Sequence, residues 1–213
     1  MRFNACFLVL FCVVIICRGQ EKCCNNHNIY TITGERITGE IEGQHLRIFK
    51  QTVIAVNDMN QSRFFSNVTI IEGRDITNYL VLQDFIQGIY WFIYPDIQEC
   101  YTYFLPVGMK LPSECVKDNA EYLNQFNDPG DVLVIRWQYE YDYESDGEKG
   151  EGPTDFTVNG CIKSGGSFVG TWESDGFEVD VIYGFTYYNF EVLTDVSEYF
   201  ILPSYCNATI NVG

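Results

Sequence analysis

The stretch Gln87–Leu105, QGIYWFIYPDIQECYTYFL, carries the reading of the whole chain. Ile89, Tyr90, Trp91, Phe92, Ile93 and Tyr94 follow one another without a charge, and Tyr101, Tyr103 and Phe104 come soon after. Successive side chains of a strand point to opposite faces, so a half-buried strand alternates apolar with polar. This one is apolar or amphipathic on both faces. Such a strand lies between two layers, or one of its faces lines something other than the core.

The same strand signals recur on both sides of it. NIYTIT, EIEGQHLRIFKQTVIAVN, RFFSNVTIIEG, NYLVLQDF and CYTYFL read as strands, broken by Gly and Asn-Asp turn residues. The cleanest alternation is DVLVIRWQYEYDY: Leu133, Ile135, Trp137, Tyr139, Tyr141 and Tyr143 take a buried face, and Arg136, Gln138, Glu140 and Asp142 a wet one. In SFVGTWESDGFEVDVIYGFTYYNF, Asp175-Gly176 is a hairpin signal, after which Phe177, Val179, Val181, Tyr183, Phe185 and Tyr187 alternate. One stretch reads as a helix. Ser113 is placed to cap it after Pro112, Val116, Ala120 and Leu123 recur at helical spacing, and Asp128-Pro129-Gly130 stops it. A second helical turn is expected at Asp195–Tyr199. The chain is therefore expected to be one all-β domain with one or two short helices.

The N-terminus, MRFNACFLVLFCVVIICRGQ, has a basic start at Arg2, an apolar run from Ala5 to Cys17 and the small Gly19. The run is short of the roughly 20 apolar residues that cross a bilayer, and its layout is that of a secretory signal. Residues 1–19 are read as the signal peptide and residues 20–213 as the mature domain, exported and without a transmembrane anchor. Cys6, Cys12 and Cys17 leave with the signal. Cys23, Cys24, Cys100, Cys115, Cys161 and Cys206 remain, an even set that in an exported chain reads as disulfides, although spacing alone does not choose the pairing. The sequons at Asn60, Asn67 and Asn207 fit the same compartment as acceptors of N-glycans.

Net charge is −16, and it becomes more negative once Arg2 and Arg18 are removed. Such a field repels nucleic-acid phosphates and anionic lipid surfaces and favours cations. The catalytic inventory is poor: the histidines are His27 and His45, and no nucleophile-elbow, phosphate-loop, dinucleotide or zinc-protease motif occurs. No enzyme is expected. Asp142, Glu144 and Asp146, with Gly147 following, imitate the start of a calcium loop, but Pro153 stands where the bidentate Glu belongs. These carboxylates are read either as a hard-cation site of another geometry or as a solvated acidic hairpin tip. The aromatic excess is the better clue. Tyr90, Phe92, Trp137, Tyr139, Tyr183 and Phe185 are candidates to line a pocket for an apolar ligand, the alternative being an ordinary aromatic core.

Taken in order, an N-terminal cysteine, here Cys23 or Cys24, YLVLQDFIQGIYWFIYPDIQEC ending in Cys100, GDVLVIRW with Trp137, Cys161, and the closing DVSEYFILPSYC resemble the ependymin-related secreted glycoproteins. In the last block Phe200, Pro203 and Cys206 keep an F-x-x-P-x-x-C spacing. The resemblance implies two stacked antiparallel β-sheets curved into a half-barrel around a hydrophobic pocket, as a homodimer. It implies lipid-like ligands, calcium association, and a place in the extracellular matrix or lysosome. It further implies Cys100 paired with Cys206, one of Cys23 and Cys24 with Cys161, and the other with Cys115. Ile162-Lys163 after Cys161 departs from the family pattern, which has a proline two residues on. The expected function is a secreted, non-catalytic carrier or sensor of a hydrophobic small molecule. The opposing expectation is a calcium-dependent matrix or cell-adhesion glycoprotein whose aromatics only pack.

Overall fold

The computed structural model describes residues 22–106, 109–111, 114–142, 148–174 and 177–206. The expected signal peptide, Asn207, Glu144, Asp146 and the Asp175-Gly176 turn lie outside them. The strands are β1 (Ile29–Glu42), β2 (His45–Asp58), β3 (Arg63–Glu72), β4 (Asp75–Asp84), β5 (Ile89–Tyr94), β6 (Glu99–Phe104), β7 (Glu121–Asp128), β8 (Val132–Tyr141), β9 (Glu148–Thr157), β10 (Lys163–Ser174) and β11 (Phe177–Val192). They form one sheet in the order β6-β5-β4-β3-β2-β1-β11-β10-β9-β8-β7. Two meanders are thus seamed where β1 meets β11, and the strands adjoining in sequence at the β6–β7 connection sit at opposite edges.

The all-β expectation holds, with one change. The two stacked sheets are a single antiparallel sheet, because β1 and β11 pair backbone to backbone from Gly34↔Tyr187 to Ile41↔Asp180 instead of facing each other across a core. The sheet is open, and it is strongly curved. Phe64 on β3 and Tyr141 on β8 line one cavity, yet six strand spacings separate them, roughly 29 Å if the sheet were flat.

Two local readings change. The long run EIEGQHLRIFKQTVIAVN is cut by a two-residue turn between Glu42 and His45, which Gly43 permits by adopting φ of 63°. Pro112 and the expected cap Ser113 lie outside the described residues, and among those described the helix expected after them is absent: Glu121–Asp128 is the edge strand β7, paired with β8. Val116 and Ala120 are buried as that pattern implied, but they pack on Trp137, and the neighbouring backbone is held extended by a bridge between Cys24 and Cys115. Tertiary pairing of the β8 edge outweighs a helical period carried by three residues. The second expected turn is a 3-10 helix, Ser197–Phe200.

The disulfides are Cys23–Cys161, Cys24–Cys115 and Cys100–Cys206. The first two clamp an N-terminal arm and the residue 114–117 segment over the concave face. The third ties the C-terminal segment to β6 on the convex face. There Tyr199 packs on Phe65 with ring centroids 5.5 Å apart, and Phe200 lies under the Arg63 guanidinium at 4.1 Å. This explains β5. Ile93, only 1% exposed, is on the side the C-terminal strap covers, whereas Tyr90, Phe92 and Tyr94 face the concave side. Away from the strap the convex face is bare: Val169, Ile182, Gly39 and Ile48 lie in register across four strands, and the three aliphatic side chains are each more than half exposed.

Candidate functional site: a cavity in the concave face

Counting by twos along β1 gives Tyr30, Ile32, Gly34 and Arg36 on the concave face. Their register partners on β2 are Asn57, Ala55, Val53 and Gln51, and on β11 Tyr187 and Phe185 stand beside Gly34 and Arg36. These side chains form the floor of a cavity of about 430 Å³, within the range of small-molecule sites. Phe64 and Phe190 close one end, and Tyr141 and Tyr183 the other. The roof is the clamped arm and its neighbours: Asn25, Glu114, Ile162 and Lys163.

Gly34 is small for a reason. A Cβ there would meet the Tyr187 ring at 2.8 Å, so the ring lies flat across β1 and divides the apolar end at Ile32 from the polar end at Arg36. Phe168, under the far wall, rests in the same way on the cross-strand pair Gly150 and Gly170 and stacks on Tyr183 with centroids 5.0 Å apart.

Polar side chains are interspersed with the apolar walls: Asn25, Glu35, Arg36, Gln51, Asn57, Glu114 and Lys163 also line the cavity. Burial, reinforced by Glu114, pushes the Tyr30 phenol well above the usual range. Burial also raises Tyr183, whose hydroxyl donates to Glu148 at 2.7 Å, and Tyr187. All three hydroxyls stay protonated at any physiological pH, and those of Tyr30 and Tyr183 donate to Glu114 and Glu148. Desolvation by the surrounding protein pushes the Lys163 ammonium below the usual range, against the opposing charge of Glu114, although the residue as a whole keeps contact with solvent.

The residues expected in one pocket are divided among three places. Tyr183 and Phe185 line the cavity. Trp137 and Tyr139 lie in a separate core cluster with Val116, Ala120, Ile135, Phe156 and Cys161, and are 2% and 5% exposed. Tyr90 and Phe92 are on the opposite wing. Phe92 borders a shallower hollow with Tyr94, Ile97, Glu99, Tyr101 and Tyr103, and Tyr90 stacks on Tyr103 beside it. Sequence reasoning missed Arg36, Ile32, Val53 and Lys163; the first three share a face with their register partners, but an arginine in a strand reads as a wet residue. Asp142 is exposed, and among the described residues no group of three or more His, Cys, Asp or Glu is arranged to hold a metal. Asn60 and Asn67 are exposed, Asn67 on the convex side of β3. No described helix is long and apolar enough to cross a membrane.

No protein-family model matches this chain, and no curated protein does. Among solved structures it is similar to a DUF1329 family protein from Desulfovibrio piger, at 11% identity and a TM-score of 0.32 over 83% of this chain and 91% of that one. A likeness so distant carries no functional argument.

Proposed function

We propose that this is a secreted, non-catalytic glycoprotein that holds a hydrophobic small molecule, lipid or fatty-acid-like, in the concave cavity. The observation that carries the reading is the cavity itself: about 430 Å³ floored by Ile32, Val53, Ala55 and Tyr187, roofed by a disulfide-clamped arm. A site with these walls gains about 0.8 kcal/mol for each methylene it removes from water. Export is supported by the signal-like N-terminus together with three disulfides. Competition of alkyl alcohols of increasing length against a bound fluorescent apolar probe tests it. Affinity rises with length until the cavity is full; an affinity flat with length, on folded protein, overturns the reading.

The bare convex face favours a second reading, in which the protein joins other macromolecules, with or without calcium, as a matrix or adhesion glycoprotein. The row Val169, Ile182 and Ile48, flanked by the exposed Ile37, Ile41 and Leu46, is an aliphatic patch of the kind that marks association surfaces. Sedimentation with and without millimolar calcium tests it. Self-association that Ile182→Lys abolishes supports this reading, and a monomer under both conditions removes self-association from it.

A further inference from the structure

Two cations reach the cavity, and their surroundings differ. Lys163 has Glu114 as an opposing charge. Arg36 has none: among the described residues it forms no ion pair, and its Nε is buried without a hydrogen-bond acceptor. Carboxylates on the same concave face are engaged elsewhere. Glu148 accepts from Tyr183 at 2.7 Å, and Glu40 pairs with Arg47 at 3.3 Å.

The guanidinium is nonetheless held in place. Its Cζ lies 4.9 Å from the Tyr183 ring centroid and 5.8 Å from that of Trp172. Rings above a guanidinium face occupy its π surface and leave the N–H donors, which lie in its plane, free to point elsewhere. A buried donor without an acceptor is costly, and in a chain with a net charge of −16 an unpaired cation on a cavity floor is the exception in the local field.

We propose that Arg36 is the anchor for an anionic head group, a carboxylate, on the ligand of this cavity. The proposal rests on the cavity reading above and adds the class of ligand: an acyl chain ending in a carboxylate. The two Nη–H₂ groups, which unlike Nε are not closed off from solvent, present the end-on fork that a carboxylate accepts bidentately. Four residues along β1 separate Arg36 from Ile32, about 13 Å of strand, so a medium-length chain anchored at Arg36 passes Tyr187 and ends among Ile32, Ala55 and Phe64.

Calorimetric titration of the intact protein with decanoate and with decan-1-ol at neutral pH tests it. Decanoate is expected to bind roughly ten- to a hundredfold more tightly than the alcohol, the worth of a charge-assisted pair. Arg36→Gln erases that preference while decan-1-ol binds as before, Arg36→Lys keeps part of it, and Lys163→Gln keeps all of it. Thermal melting of each variant establishes that it is folded, and the Lys variant serves should the Gln variant fail to fold. Equal affinity for acid and alcohol in the wild type overturns the anchor and leaves the cavity standing, as does a preference that survives Arg36→Gln or vanishes with Lys163→Gln. If neither compound binds folded protein, the cavity reading falls and the anchor with it.

Discussion

The two wings of the concave face have similar chemistry and different fates. On the β8–β9 wing, Trp137, Tyr139 and Phe156 are buried, because Val116 and Ala120 lie over them and Cys23–Cys161 and Cys24–Cys115 hold that cover down. On the β5–β6 wing, Tyr90, Phe92, Tyr94, Tyr101 and Tyr103 are half-buried and meet chiefly one another, Tyr90 stacked on Tyr103 at 5.3 Å and edge-on to Phe92 at 5.6 Å. Aromatic content is therefore not what separates core from cavity from open hollow. What separates them is whether another segment is tied across the face. Between the wings, the cavity has a partial cover, and so retains both apolar walls and solvent access.

The largest effect expected from this contrast is at the covered wing. Trp137→Ala removes a ring that is 2% exposed and should cost about 3–5 kcal/mol, read by urea denaturation. The strap behind the other wing comes next: changing Cys100 and Cys206 to Ser together should lower stability by about 2–4 kcal/mol and expose Ile93, seen as faster amide exchange in β5 and β6. A loss confined to β7–β9 would show that the strap supports the wrong wing.

A third effect is in alkali. Burial pushes Tyr139 up to about 12, partly offset by a hydrogen bond from the Lys117 amide at 3.3 Å. A phenol whose folded pKa exceeds its unfolded value stabilises fully below the unfolded value near 10, and that stabilisation is lost as pH climbs toward 12. The loss amounts to roughly 2–3 kcal/mol. Absorbance titration should show Tyr139 ionising late, and Tyr139→Phe should make the fall in stability between pH 10 and 12 shallower, leaving the share due to Tyr30, Tyr183 and Tyr187. The smallest effect belongs to the open wing: Phe92→Ala should cost only about 1–2 kcal/mol, since that ring is only partly buried. Equal costs for Trp137→Ala and Phe92→Ala would abolish the distinction between the wings.

The alternation in DVLVIRWQYEYDY placed Ile135, Trp137 and Tyr139 on the buried face correctly, with Arg136 on the outer side, where it meets Asp155 through two bonds of 2.7 Å, but at the start of the strand Leu133 is exposed and Val134 is buried. Period two is a property of one strand and survives any arrangement of its neighbours. It says nothing about which strands are adjacent, and so Tyr90 and Phe92 were grouped with Trp137 and Tyr139, which the strand order places on opposite wings. The helical spacing of Val116, Ala120 and Leu123 marked two buried residues, but three positions are too few to distinguish a helix from an extended segment pinned by a disulfide. Arg36 is invisible to pattern reading for a related reason: its significance comes from Tyr183 and Trp172, which lie far along the chain.

The seam between β1 and β11 also imposes an order on biosynthesis. Glu35 and Tyr188, hydrogen-bonded across it, are 153 residues apart. At roughly 5–20 residues per second, the first meander waits on the order of ten seconds or more for its central neighbour to be made. During that interval β1 presents an unpaired edge with Ile37 and Ile41 beside it, the kind of edge on which chains aggregate. Long-range pairing of this sort also slows folding. A truncation that removes β11 leaves the middle of the sheet, not its margin, without a partner.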